Sequence, residues 1–115
     1  MQLEKHRDKR GVIEDLYVGK DFSVTRITFK KGAVRGNHYH KKTYQYDIII
    51  SGKLIYYCKE GSWEVGSPSL PLTHFPTEKH AYKALKDSEM ISICIGKRIG
   101  KNYSKDTYKL EKPLV

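Results

Sequence analysis

A chain of 115 residues with 38% hydrophobic content is long enough to bury one core and too short for two, so a single domain is expected. Lysine and arginine outnumber aspartate and glutamate by 22 to 13, a formal charge of +9 that favours anionic partners. No apolar run approaches the roughly 20 residues of a membrane helix, and MQLEKHRDKR is charged where a secretory signal is apolar, so a soluble cytoplasmic protein with no membrane partner is expected.

Along the chain, short runs rich in β-branched and aromatic residues alternate with turn chemistry, and no stretch carries a convincing helical repeat. Gly11 to Val18 and Phe22 to Phe29 come first, separated by Gly19-Lys20-Asp21. After Lys30-Lys31-Gly32 and a histidine-bearing segment come Tyr44 to Ser51 and Lys53 to Lys59, hinged at Gly52. Ser62 to Val65, Leu72 to Phe75, His80 to Leu85 and Met90 to Gly96 complete eight predicted strands. Eight strands at about ten-residue spacing predict an all-β sandwich or closed barrel over residues 1–96. From Lys97 the sequence is basic, polar and non-periodic, and residues 97–115 read as a tail that wraps the barrel or pairs with a second subunit. Cys58 and Cys94 sit within apolar runs and are expected as reduced core thiols.

Three of the five histidines, His38, His40 and His80, are placed so that they can converge. In an extended segment residues i and i+2 share a face, so His38 and His40 point together while Tyr39 points away. Gln45 opens the next strand on a face it shares with Asp47 and Ile49. If that face is interior, His80 completes a three-nitrogen site with Gln45 as a weak oxygen donor, and Asp47 is a carboxylate that must be paired or orient an imidazole. The alternative for His38 and His40 is a solvated or hydrogen-bonded pair. His6, in a charged segment, and His74, before the Phe75-Pro76 turn, read as structural.

The spacing Gly32, five residues, His38-Tyr39-His40, four residues, Gln45, six residues, Gly52 resembles the first motif of the cupin superfamily, with Gln replacing the usual Glu. Pro76 to His80 is similar to the second motif without its Gly. Asp8-Lys9-Arg10-Gly11 and Arg35-Gly36-Asn37-His38 resemble elements of the sugar-nucleotide branch, which includes 3,5-epimerases, 3,4-ketoisomerases and capsule-biosynthesis cupins. The resemblance implies a jelly-roll barrel (a double-stranded β-helix), commonly homodimeric, that isomerises or epimerises a nucleotide-linked keto sugar in surface-polysaccharide synthesis.

Two chemistries follow. Without metal, His38 or His40 is a general base beside a keto group and a tyrosine such as Tyr82 returns the proton, since an imidazole near neutrality serves that role well. With metal, His38, His40, Gln45 and His80 ligate one divalent ion (Zn, Fe, Mn or Ni), more weakly than with a carboxylate at 45, as in a dioxygenase or a small-acid isomerase. Arg10, Arg26, Arg35 and Lys41, with Gln45 and Asp47, are the substrate-binding candidates, arginine matching phosphate oxygens in pairs. A non-catalytic sugar-binding module is a third reading. Nucleic acid is not expected as a partner, because Asp106 and Glu111 interrupt the basic tail and no recognised module is present.

Overall fold

The computed structural model describes residues 3–96 and 106–115. Eleven strands, β1 (Lys5–Asp8), β2 (Gly11–Val18), β3 (Phe22–Phe29), β4 (Val34–Tyr39), β5 (Tyr44–Ser51), β6 (Lys53–Cys58), β7 (Gly61–Gly66), β8 (Leu72–His74), β9 (His80–Ala84), β10 (Ser88–Ile95) and β11 (Tyr108–Lys109), follow one another with no helix among the described residues. They form two antiparallel sheets. One runs β1-β2-β3-β10-β5-β8 and the other β11-β4-β9-β6-β7, facing each other as a jelly roll.

All eight predicted strands are present, with ends moved by no more than two residues. Three strands lacked an apolar signature. Lys5–Asp8 is charged and pairs at an edge, and Val34–Tyr39 alternates poorly because it contains a bulge. Tyr108–Lys109, in the polar tail, pairs with Tyr39 and His38 of β4. Leu110, just beyond it, is buried and donates its N–H to the Asn37 carbonyl.

The core between the sheets consists of Phe29, Ile49, Leu54, Tyr56, Tyr82, Ala84 and Met90. Inward positions change character along each strand: β5 presents Gln45, Asp47 and then Ile49, and β9 presents His80, Tyr82 and then Ala84. One end of the interior is therefore hydrocarbon and the other is polar. Cys58 and Cys94 are not joined in a disulfide.

Candidate functional site

The local device that builds the polar end is a bulge in β4. Gly36 pairs with Ala81 and His38 with His80, leaving Asn37 as the extra residue with φ of 57°. Such an insertion reverses the side-chain alternation. Arg35, His38 and His40 can therefore all turn inward, and Tyr39 turns out to stack on Tyr108 with ring centroids 5.3 Å apart. Gly36 is required there: a side chain would meet the Ala81 Cα and the His80 carbonyl, each at 2.9 Å.

Register brings the other groups to the same level. His80 opens β9 opposite His38, and His74 closes β8 opposite Gln45 on β5. The ring centroids of His38 lie 4.9 Å from those of His40 and 4.6 Å from those of His80. His74 stacks flat on His80 at 4.2 Å with a 12° interplanar angle. Four imidazoles thus occupy one end of the barrel, His74 being the one that sequence reasoning left as a structural residue. Its only sequence signal was its place in a predicted strand; the β5–β8 register that sets it against Gln45 is not written in any local pattern.

The hydrogen bonds assign different tasks to these rings. The Gln45 amide nitrogen donates to both oxygens of Asp47, at 3.1 and 2.9 Å, so its oxygen must face His40 Nε2, 2.9 Å away. His40 Nδ1 lies 2.9 Å from the Asp106 carbonyl. Both nitrogens of His40 therefore face acceptors and are placed to donate. His80 differs: its Nδ1 donates to the Glu78 carbonyl at 3.3 Å, which leaves the lone pair on Nε2, and Nε2 is buried without a hydrogen-bond partner. Burial, then the charges of His74 and His38, push the His80 pKa well below the usual imidazole range, keeping the ring neutral.

Behind these rings lies a sealed anionic pair. His74 Nε2 donates to Asp47 Oδ2 at 2.8 Å and lies 2.7 Å from the Tyr82 hydroxyl, which donates to the same oxygen at 2.7 Å. Burial opposes the Asp47 charge, but the ion pair and hydrogen bonds with His74 and the Tyr82 bond outweigh it and hold the carboxyl below its ordinary range. Burial and Asp47 together push the Tyr82 phenol well up, so it stays a donor.

A cavity of about 130 Å³ opens onto this end. Its polar wall is Arg10, Arg35, His38, Gln45, His80 and Tyr82, and Phe29 and Met90 of the core close its far side. The volume is below the several hundred Å³ of a typical ligand pocket, so it encloses a small group and leaves anything larger at the opening. Arg35 is buried, donates to the Thr28 carbonyl at 3.0 Å and lies 5.4 Å over the Phe29 ring. Arg10 is held by Asp8 through Nε at 3.1 Å and Nη2 at 2.7 Å, and those bonds hold the Asp8 carboxyl well below its ordinary value.

The remaining candidates lie elsewhere. Arg26 is on the outer face of β3, since its neighbour Ile27 turns to the cavity, and it is neutralised by Glu14 at 3.0 Å and Glu89 at 2.6 Å. Lys41 spans the Tyr108 ring at 4.5 Å instead of reaching the cavity. Asp47 is fully buried behind Gln45 and serves His74 and Tyr82, with no surface for a substrate. His40 is 1% exposed and lies outside the cavity wall, bridging Gln45 to residue Asp106.

His38, His40 and His80 could hold a metal ion, each offering a ligand atom within 4.8 Å of the others. The unpartnered Nε2 of His80 fits this role directly. At His40 an ion would displace the proton shared with Gln45, as metal binding to imidazole generally does.

No sequence-family model and no curated protein matches the chain. Solved structures do. The capsular polysaccharide assembling protein CapF from Staphylococcus aureus aligns with a TM-score of 0.78 at 22% identity, over 97% of this chain and 33% of that one. Oxalate decarboxylase from Bacillus subtilis aligns at 0.74 and 17%, over 93% and 30%. A sugar phosphate isomerase of the cupin superfamily from Silicibacter pomeroyi aligns at 0.63 and 15%, over 72% and 59%. The chain has the cupin fold. The chain spans about a third of the length of the CapF and decarboxylase chains. Its Gly32-to-Gly52 motif forms β4 and β5, the strands that carry His38, Gln45 and Asp47. No described helix is long and apolar enough to cross a membrane.

Proposed function

We propose that this cupin isomerises or epimerises a keto sugar bearing an anionic group, a nucleotide-linked sugar being the preferred substrate. The observation that carries the reading is His80: a neutral imidazole on the cavity wall whose Nε2 lone pair is buried and unpartnered. Such a nitrogen carries no proton and is placed to take one from a C–H beside a carbonyl, though its burial makes it a weaker base than a solvated imidazole. In this reading His80 Nε2 takes that proton, giving an enolate and an imidazolium stacked on His74. His38, 4.6 Å from His80 between ring centroids, is placed to stabilise the enolate oxygen. In an isomerisation His80 returns the proton to the neighbouring carbon while the proton of that substrate's hydroxyl crosses to the enolate oxygen; in an epimerisation a proton from solvent reaches the same carbon from the opposite face and His80 releases its own to solvent. Tyr82 holds its proton toward Asp47 and so supports the site instead of exchanging with substrate. The sugar ring occupies the cavity beside the buried Arg35, and the more exposed Arg10 of the cavity wall faces the phosphates.

The names of two structural neighbours, a capsular polysaccharide assembling protein and a sugar phosphate isomerase, support the same substrate class. Incubation in deuterated water with nucleotide 4-keto-6-deoxysugars and with keto sugar phosphates tests it. Deuterium entering a C–H position, with loss of that exchange in His80→Ala, is expected; no exchange across the panel overturns the reading.

The convergence of His38, His40 and His80 favours a second reading, a metal-dependent cupin. A divalent ion held there would polarise a bound carbonyl or carboxylate as a Lewis acid. Elemental analysis of purified protein separates the two: near-stoichiometric metal lost together in His38→Ala and His80→Ala supports the second.

A further inference from the structure

We propose that Asp106, in the segment beyond the barrel strands, is a positioning residue of the site: its carbonyl holds the His40 ring and its carboxylate holds the loop that carries that ring. This loop joins β4 to β5 and so decides how the imidazoles of one strand face Gln45 on the next. Its backbone donors lie outside the strand pairing, and the Asp106 carboxylate takes them. Oδ1 accepts from the Lys41 N–H at 3.1 Å, while Oδ2 accepts from the Lys42 N–H at 2.9 Å and the Thr43 hydroxyl at 2.8 Å. Both Asp106 and Thr43 are buried, so water does not compete for these bonds. Three donors on one carboxylate fix where its own carbonyl sits, 2.9 Å from His40 Nδ1. The Thr77 N–H donates to the His40 carbonyl, tying the same residue to the turn that leads into His80. Further along, Tyr108 pairs with Tyr39, and Asn37 Oδ1 accepts from the Leu114 N–H at 2.7 Å, which anchors the segment on β4.

A backbone carbonyl only accepts, so Nδ1 keeps a proton while the Asp106 carbonyl is in place. Nε2 is then the nitrogen turned to Gln45, or offered to an ion shared with His38 and His80. The contacts continue to the cavity. His40 Nε2 meets the Gln45 oxygen at 2.9 Å, which leaves the Gln45 amide nitrogen for Asp47, and Gln45 belongs to the cavity wall. Asp106 lies outside that wall and acts on it through one imidazole. A carboxylate that merely capped the loop would leave the ring to take either tautomer.

Nitrogen-15 NMR of the imidazoles of the full chain at neutral pH, without added metal, tests this. In wild type the His40 Nδ1 signal is expected at the protonated position. In Asp106→Ala it should move toward the unprotonated position, because Gln45 becomes the better-placed acceptor and the ring keeps its proton on Nε2. Asp106→Asn retains an oxygen for Lys42 and Thr43 and is expected to restore most of the wild-type signal. Leu54→Ala, destabilised at the hydrocarbon end, should leave it unchanged, which separates positioning from loss of stability. An unprotonated Nδ1 in wild type overturns the proposal even if Asp106→Ala does not fold. So does a wild-type signal kept in Asp106→Ala or lost in Leu54→Ala, or an Asp106→Asn signal no nearer wild type than that of Asp106→Ala. The role of the ring in turnover rests on the isomerase reading and has its own readout: Asp106→Ala is expected to slow deuterium exchange at saturating substrate by up to about a hundredfold. An unchanged rate removes Asp106 from the working site, whereas no exchange in wild type overturns the isomerase reading and leaves the tautomer to decide the place of Asp106.

Discussion

The two ends of the barrel interior are built by the same strands and answer to different physics. At one end Ile49, Leu54, Ala84 and Met90 fill space, and their stability comes from apolar area removed from water. At the other, three imidazoles, an amide and a carboxylate are buried beside the half-buried His38, and their stability depends on every proton finding an acceptor. The contrast within the polar end is sharper still. Asp47 accepts from His74, Tyr82 and Gln45, whereas His80, a residue of the cavity wall, has a buried Nε2 with no hydrogen-bond partner.

Substitutions test this division. The largest effect is expected from Asp47→Ala, which strands the buried His74 and Tyr82 donors and removes one member of a buried pair; about 3–5 kcal/mol of unfolding free energy should be lost in urea titration. Leu54→Ala, a pure truncation at the hydrocarbon end, is expected to cost about 2–5 kcal/mol by the same measurement. Far less of the His80 signal in an imidazole NMR spectrum should move in Leu54→Ala than in Asp47→Ala, because only the latter disturbs the His74 ring that stacks on it.

His80→Ala sharpens the comparison from the other side. It removes a ring whose Nε2 makes no hydrogen bond, so the loss of stability is expected to be smaller than in His74→Ala, which unpairs Asp47. Solvent deuterium exchange into a keto sugar should nonetheless disappear. If His74→Ala and His80→Ala were equally destabilising, the separation of supporting from reacting imidazoles would fail.

The smallest effect is expected at the rim. Asp8 has its folded pKa depressed by Arg10, so its contribution is present above the unfolded carboxyl value of 3.8 and is lost as pH falls through the lower folded value. The urea midpoint of Asp8→Asn should lie slightly below wild type at pH 7, and the gap should close progressively below pH 3.8.

Alternation and turn chemistry made most strands readable, because a half-buried strand writes its period into its own residues. The inward placement of His38, His40, Gln45 and Asp47 was legible for the same reason. Arg35 was not: strict alternation from His40 would send it outward, and only the bulge at Asn37 lets it share their face. Arg26 was a plausible phosphate ligand by composition, but strand parity and two glutamates from neighbouring strands remove it from the cavity. The places of His74 and Asp106 in the site were not legible because their partners are 27 and 66 residues away in sequence.

By itself, then, the sequence determined eight of the eleven described strands and the shared face of His38 and His40, since these follow from local periodicity. Which imidazole bridges Gln45 to the C-terminal segment, which is locked to a carboxylate and which keeps a bare lone pair was decided only by tertiary structure. The reason is that a ring's protonation and tautomer are set by the acceptors it meets, and strand register delivers those acceptors from distant parts of the chain.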